Sequence, residues 1–489
     1  MHVVFASVGA GELLGVESLS AVLRRAGHRT SLVHDAALFD DRFDLSVRPL
    51  ARLFDERPRA IRDILASKPD LIAFSCITST FRWAVEVAAA VRTVRRIPTV
   101  FGGAHASALP AWVVSRPEVD YVCEGEGEDA IVALADALAG GGDVRVPGIW
   151  TKAGPPHAPA RLADLGSLPF ADKELYAAVL PKRPLWQTMT GRGCPFVCTY
   201  CYNSQRGATA VRRRPVEHVL DELRWGKRRF DFSAVEFHDD IFTFDAGWLA
   251  DFLPRYRAEI GRPYCCQVHP RFLDADRARL LADTGCFRVK MGVQSLADRT
   301  WKARNLKRAE TEEDVARAID TCRRIGLRIE VDHILGFPGE PPEAQEHALR
   351  FYGEHTPARI GTYWLSYFPG TEITKRALAT GVIDAAREQA MRRGDVVSYH
   401  SARAQPDPRE RARLEGYAAA LQVLPLLPSS VRRRIRAEWL ARVPNASALA
   451  RWVQAAELAS GTTRGRGYDA AGYTRFYAHH VGRRAKTRL

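Results

Sequence analysis

The sequence predicts an α/β protein in three parts. A doubly wound parallel sheet spans residues 1–140, a linker spans 141–184, a partial six-unit (β/α) barrel spans 185–375 and a mainly helical region spans 376–489. Three observations predict it. Short β-branched runs alternate with helix-length amphipathic patterns in two series. A Gly/Pro-rich tract separates the series, and after residue 376 the strand signal fades into Arg-rich helical patterns. At about 150 residues per domain, 489 residues have room for three such units.

In the first series the strand candidates are HVVFA, RTSLV, DLIAFS, PTVFGG and DYVCEG. The first helix, within GELLGVESLSAVLRRAG, puts Val16, Leu19, Leu23 and Ala26 on one face and has Gly27 as its C-cap. Five βα units of this kind indicate a doubly wound sheet. GGGD, PGIW and AGPPHAPA then read as a linker. The second series offers LWQTMT, AVEFHDD, YCCQVHP, FRVKMGV, LRIEVDHILG and RIGTYWLSYF. Six units are too few to close an eight-strand barrel, so an open one is expected. RERARLEGYAAALQVL and SSVRRRIRAEWLARV supply the helical end.

Composition excludes several classes. With 46% hydrophobic and 26% charged residues and a mean hydropathy of −0.22, the chain reads as globular. No run approaches the roughly 20 apolar residues of a membrane span, and MHVVFASVGAGELLG opens as a strand without signal-peptide features. A cytoplasmic location is the expectation. The formal charge of +14 is concentrated late, where residues 376–489 hold 21 Arg and Lys against 9 Asp and Glu. With 61 Arg to only 10 Lys, GC-rich coding explains the bias better than phosphate recognition, and nucleic acid is not the expected partner. Nine cysteines without a leader favour metal or redox chemistry over disulfides.

In GRGCPFVCTYCYN, Cys194, Cys198 and Cys201 are separated by three and then two residues, in a loop between a strand and a helix. Three thiolates are one short of a closed four-cysteine site. A [4Fe-4S] cluster held this way keeps one iron open, whereas structural zinc would need a fourth ligand.

This CxxxCxxC loop, after the first strand of a partial βα barrel, resembles that of the radical S-adenosylmethionine enzymes. The resemblance implies that Cys194, Cys198 and Cys201 hold a [4Fe-4S] cluster whose open iron chelates S-adenosylmethionine. It places Tyr200 near the adenine and Asp239 and Asp240 near the methionine amino group. Gln294 and Ser295 stand where related enzymes carry a Glu-Ser pair, Ile334 and Gly336 where they contact adenine through backbone, and SYFPGTEI resembles a family turn. All these motifs end strands, where βα barrels collect functional groups.

A doubly wound domain ahead of such a barrel resembles the cobalamin-binding subgroup, and the likeness covers roughly residues 1–375. It implies a Rossmann-like domain of the cobalamin-binding type, with Ser75 and Thr78 by the nucleotide tail, Gly102 and Gly103 giving a ligand close access to backbone, and His105, Ser107 and EGEGED (Glu124 to Asp129) in the recurrent pattern. The first βα loop, SVGAGELLG, lacks D-x-H-x-x-G, so bound cobalamin would be base-off. His105 is open to two readings, a cobalt ligand or a polar contact beside the corrin or in the domain interface. GAGELLG misses the dinucleotide fingerprint by one residue.

Cys265 and Cys266, adjacent on one strand, should face opposite sides of the sheet. His269, Arg271, His333 and Tyr363 are candidates for the substrate cavity or for ordinary structural hydrogen bonds, and Arg271 for an anionic group. Arg432, Arg433, Arg434 and Arg436 with Val431, Ile435, Trp439 and Leu440 form a basic amphipathic pattern that would cap the barrel mouth or touch an anionic membrane. GYTRFYAHH would pack against that cap.

The resemblance implies a cobalamin-dependent methyltransferase acting on an unactivated carbon of a small or medium-sized metabolite, supplied with electrons by a flavodoxin or ferredoxin. A cyclase, oxidase or rearrangement enzyme with the same cofactors, like the anaerobic magnesium-protoporphyrin monomethyl ester cyclase group, is the competing reading. A non-enzymatic sensor whose Arg-rich tail meets nucleic acid is a third, and salt dependence would reveal it.

Overall fold

The structure is a computed structural model and describes residues 1–40, 48–156, 162, 164–180, 185–206, 210–395, 405, 407–432 and scattered positions from 434 to 481.

The first sheet has six strands: β1 (His2–Val8), β2 (Arg29–Asp35), β3 (Leu71–Ser75), β4 (Thr99–Gly102), β5 (Tyr121–Cys123) and β6 (Ile149–Trp150). Their order is β2-β1-β3-β4-β5-β6. The first five are parallel and β6 runs antiparallel to β5. That last strand comes from PGIW, a segment expected to be linker, so the sheet extends past residue 140. Helices cover both faces, which is why β1 is buried almost throughout and reads as a continuous apolar run. One face packs Ile64, Phe81, Val87 and Val91 of the helices Arg57–Ser67 and Thr78–Val94. The other packs Val16, Leu23, Ile131 and Leu134 of the helices Leu14–Arg25 and Glu128–Ala139. Strand order reverses between β1 and β3, and doubly wound sheets bind ligands at the C-terminal ends of strands beside that reversal.

The second sheet begins with β7 (Leu185–Thr188). A short antiparallel ribbon, β8 (Gly191–Arg192) with β9 (Arg212–Arg213), brackets the cysteine loop. The sheet continues through β10 (Ala234–Phe237), β11 (Tyr264–Val268), β12 (Cys286–Gln294), β13 (Arg328–Leu335) and β14 (Arg359–Trp364). All six strands are parallel and lie in chain order from β7 to β14. Among the described residues no pairing joins β14 to β7, so the barrel is open as expected.

Part of the helical region meets the strand ends of the barrel, where Met391 of the helix Ala385–Arg392 packs with Tyr200, Ile334 and Phe337, and Gln405 lies against Gly336. The helix Pro408–Val423 packs on the outer face of β14, with Gln422 bonded to Thr362, and beside the helix Glu343–Glu354, where the Tyr417 hydroxyl donates to Glu346 at 3.3 Å. Ile435 packs on the same outer core. Arg433, Arg436, Trp439, Leu440 and most of GYTRFYAHH lie outside the described residues, as does 157–160 of AGPPHAPA.

Candidate functional site

The cysteine loop leaves the C-terminal end of β7 and is pinned at several points. The Thr199 amide and hydroxyl donate to the carbonyls of Leu306 (3.1 Å) and Asn305 (2.8 Å), and the Thr199 carbonyl accepts from Ile373 at 3.0 Å. Cys201 closes a turn onto the Cys198 carbonyl at 3.0 Å, and the Ser204 hydroxyl donates to the Cys201 carbonyl at 2.6 Å. Cys194, Cys198 and Cys201 are partly buried and in no disulfide. Burial pushes the Cys194 thiol up to about 11, and the charges of Asp240, Cys198 and Cys201 add to it. The Cys201 thiol is raised in the same way. The three sulfurs and Asp240 therefore share one electrostatic environment. Among the described residues no three His, Cys, Asp or Glu side chains close on one point as ligands of a single ion. Thiolates bonded to three different irons of a cluster need not converge on one atom, so the loop fits a cluster.

The two aspartates after β10 do different things. Asp239 is buried and accepts from the Thr190 amide (2.9 Å), the Thr190 hydroxyl (2.6 Å) and Arg213 (2.7 Å). It braces the start of the cysteine loop, and its carboxylate is spent there. Asp240 is exposed and acts on the thiols.

The Tyr200 ring lies 5.5 Å from that of Phe337, and its hydroxyl accepts from Arg308 at 2.9 Å. Arg308 also reaches the Gly292 carbonyl (2.7 Å) and Glu310 (2.7 Å), whose carboxylate lies 3.5 Å from Lys302 and 3.6 Å from His269. His269 stacks on Phe196 of the cysteine loop with centroids 4.4 Å apart. Burial, then Arg308 and Arg271, keep that imidazole neutral. Sequence reasoning missed Arg308 and Glu310, because LKRAETEED looks like a solvated helix start.

At the end of β12 a register shift accompanies Gln294, whose φ of 69° is left-handed. A side chain there costs backbone energy, which marks a constrained turn. Buried Ser295 donates to Glu340 at 2.5 Å. Glu340 also accepts from Gln345 at 2.8 Å, and burial pushes it up to about 7. Gln294 lacks the carboxylate of a Glu-Ser pair, and Glu340 supplies one within reach of Ser295. Ile334 packs with Tyr200 and Phe337, and Gly336 turns at φ 85° beside Gln405. His333 faces outward, bonded to Gln345 (3.1 Å) and Tyr352 (3.4 Å), so it does not line the cavity. Arg271 is exposed. Cys265 and Cys266 face opposite ways, Cys265 toward Arg288 (3.5 Å) and Cys266 into the outer core.

On the N-terminal domain, Ser75 ends β3, and Thr78 opens the next helix. The space a Cβ would fill at Gly103 is taken by the Cys76 backbone, at 2.7 Å from its oxygen, so that glycine admits a neighbouring loop and not a ligand. Gly102 has only ordinary contact with Cys123. His105 is fully buried against Phe81, with centroids 4.3 Å apart. Its two nitrogens are 3.1 Å from the Thr78 hydroxyl and 3.1 Å from the Arg392 carbonyl, so it lies in the domain interface and is not poised as a cobalt ligand. Ser107 accepts from the Gly125 amide at 3.1 Å.

The two candidate cofactor regions touch. Tyr202, next after Cys201, hydrogen-bonds Thr78, and its ring lies 4.7 Å from Phe368 of the FPGT turn. Two carboxylates of the acidic run EGEGED are taken up by ion pairs. Glu126 pairs with Arg212, and Glu128 with Arg192 at 2.5 Å, and both arginines belong to the ribbon that carries the cysteine loop.

Comparison with known proteins matches residues 1–135 to the B12 binding domain and residues 188–352 to the radical SAM superfamily. The chain belongs to the cobalamin-binding radical S-adenosylmethionine enzymes. An uncharacterized methyltransferase of Pyrococcus horikoshii is 25% identical over 392 residues, covering 76% of this chain and 80% of the relative. The cobalamin-dependent radical SAM methyltransferase TokK of Streptomyces tokunonensis is 31% identical over 232 residues, and this match spans 41% of the chain and 32% of TokK. Among solved structures, the cobalamin-dependent S-adenosylmethionine radical enzyme OxsB has a TM-score of 0.67 at 13% identity, over 99% of this chain and 80% of that one. TsrM of Kitasatospora setae has a TM-score of 0.62 at 19% identity, over 77% and 75%. These structural likenesses support the two-sheet fold. The cofactors of this family are a [4Fe-4S] cluster, S-adenosylmethionine and cobalamin.

Proposed function

We propose that this enzyme transfers a methyl group to an unactivated carbon of a small or medium-sized metabolite. The observation that carries the reading is the joint between the two cofactor regions. The residue after the last cluster cysteine, Tyr202, bonds Thr78 at the ligand end of the cobalamin-type sheet. Methyl transfer needs one substrate to meet both cofactors, so their loops must be held in register.

Cys194, Cys198 and Cys201 would hold the cluster, and Tyr200, Asp240, Gln294, Ser295, Ile334 and Gly336 would border S-adenosylmethionine. The ends of β3 and β4, with Ser75, Thr78 and Gly102, would border cobalamin. When bound, these groups supply the electron, the radical and the methyl group that C–H methylation requires. The chain itself binds, orients and shields. Arg308 fixes the Tyr200 ring, Asp239 and Arg213 brace the loop root, and His269 and Phe196 wall one side of the cysteines from water.

None of the nine cysteines, all among the described residues, is in a disulfide, which suits a reducing compartment, and a flavodoxin or ferredoxin in the cytoplasm would supply the electron. Among the described residues no helix is long and apolar enough to cross a membrane.

The test is anaerobic turnover of the reconstituted protein with mass spectrometry of 5′-deoxyadenosine and S-adenosylhomocysteine. Both products, with deoxyadenosine lost in Cys198→Ala, are expected. Deoxyadenosine without S-adenosylhomocysteine would overturn methyl transfer and favour the cyclase or rearrangement reading.

A further inference from the structure

The barrel interior is ionic. Along β10 to β14, side chains of one parity, among them Val289, Met291 and Val331, join the apolar core under the helices. The opposite parity turns Glu236, Arg288, Lys290, Glu330, Asp332 and Arg359 inward. Most of these pair across the strands. Glu236 lies 3.2 Å from His238 and 4.0 Å from Arg288, Glu330 lies 3.7 Å from Arg359, and Asp332 lies 3.3 Å from Lys290. Covering such charges with a hydrocarbon would strip their water without replacing it, a cost of several kcal/mol per ion by order of magnitude. A hydrocarbon laid against this layer is disfavoured on that ground.

Lys290 stands out among these groups. Its side chain is 43% exposed, against 21% for Asp332, 13% for Arg288 and 32% for Arg359. Its ammonium sits by the Tyr363 hydroxyl at 3.5 Å as well as by Asp332. An ammonium has three donors, so one remains after both contacts. Asp332 is flanked in register by Gly292 on β12 and Gly361 on β14, and the Gln294 amide and the Tyr363 ring take the space that side chains there would fill. Exposure and an available donor coincide at one level of the barrel.

We infer that the substrate carries an anionic group, a carboxylate or a phosphate, that docks on Lys290 in the glycine-flanked layer of the barrel. The inference rests on the reading of the chain as an enzyme acting on a metabolite. The competing source of an anion is the methionine carboxylate of S-adenosylmethionine. The depth favours substrate, because the Lys290 ammonium meets Asp332, whose register partner Gly292 is two residues before Gln294, or roughly 7 Å below the strand end at about 3.3 Å per residue.

The test uses the full chain with cluster, cobalamin and S-adenosylmethionine loaded. The probes are inorganic phosphate, followed by its phosphorus linewidth, and acetate against neutral acetamide, followed by proton saturation transfer. Lys290→Gln should weaken phosphate or acetate binding about tenfold, the worth of one charge-assisted hydrogen bond. Lys290→Arg should retain it, and acetamide should not bind. Equal anion signals in the wild type and Lys290→Gln would mean adventitious binding to the Arg-rich surface and would overturn the inference. So would loss, in Lys290→Gln, of the change that S-adenosylmethionine induces in the paramagnetic resonance spectrum of the reduced cluster, since Lys290 would then hold the cofactor. S-adenosylhomocysteine formation by the wild type is scored separately. Its absence beside a Lys290-dependent anion signal would sink the methyltransferase reading and leave this one standing.

Discussion

Arg192, two residues before the first cluster cysteine, donates to Glu128 of the cobalamin-type domain at 2.5 Å. Glu128 is almost wholly buried and also accepts from Ser18 at 2.9 Å. Burial by itself would raise this carboxyl, but the hydrogen bond and charge of Arg192 hold it below the ordinary carboxylate value. A depressed carboxyl contributes stability above its unfolded pKa and loses it as pH falls through the folded one. The wild type should therefore lose stability between about pH 5 and its lower folded pKa. In Glu128→Gln that part of the loss should be absent, with a penalty of about 1–3 kcal/mol at neutral pH. Denaturant melts of both proteins across pH 3–7 check it, and identical pH profiles would remove Glu128 from the account.

The cluster assignment predicts a sharp loss. Cys198→Ala should drop iron from about four per chain toward background after reconstitution and abolish deoxyadenosine formation. Iron assay and absorption spectroscopy measure it. Full iron retention would transfer the ligand role elsewhere.

Lys173 links the domains from the connecting segment. Its ammonium is buried between Glu12 (2.9 Å) and Glu17 (2.6 Å) and donates to the Gln187 carbonyl of β7 at 2.8 Å. Removing one partner of a buried pair strands the others, at about 3–5 kcal/mol. Lys173→Met should cost that much, and adding Glu17→Gln should recover part of it, because the two sites are coupled. Strictly additive effects would contradict the contact.

Glu340 gives the opposite pH signature to Glu128. Burial raises it to about 7 from an ordinary 4.5, so the folded state holds a proton that the unfolded state releases. Its stability contribution is complete below about pH 4.5 and is lost as pH rises toward 7. Glu340→Gln, which keeps a neutral side chain, should remove that decline. Melting temperatures from pH 5 to 8 decide it.

The strands were legible because their signal is local. All six barrel strand candidates fall on β7 and β10–β14, and the parity of Cys265 and Cys266 followed from the pleat. The cluster loop was legible because three thiols close in sequence must be close in space. Roles set by tertiary partners were not. Asp239 and Asp240 are neighbours with the same side chain, yet Thr190 and Arg213 claim the first and leave the second to the cysteines. His105 was open to two readings, a cobalt ligand or a polar interface contact, and only the Thr78 hydroxyl and the distant Arg392 carbonyl at its two nitrogens decide for the interface. β6 was hidden because two residues at the edge of a sheet carry no periodicity.

Gly102 and Gly103 separate a folding role from a binding role. Gly103 has φ 90°, and a Cβ there would lie 2.7 Å from the Cys76 oxygen and 2.8 Å from its nitrogen. A left-handed conformation alone costs a residue with a side chain about 1–2 kcal/mol, and overlap with backbone adds to it. Gly103→Ala should destabilise the N-terminal domain whether or not cobalamin is present. A Cβ at Gly102 would meet only the Cys123 side chain at 3.7 Å and its carbonyl at 3.8 Å, which is ordinary packing. Gly102→Ala should therefore melt like the wild type without cobalamin and yet bind the corrin more weakly if the ligand lies against the end of β4. Apo melting curves and cobalamin titrations followed by absorbance separate the two. If Gly102→Ala binds cobalamin like the wild type, the corrin does not approach this turn, and the ends of β1 and β3 become the place to look.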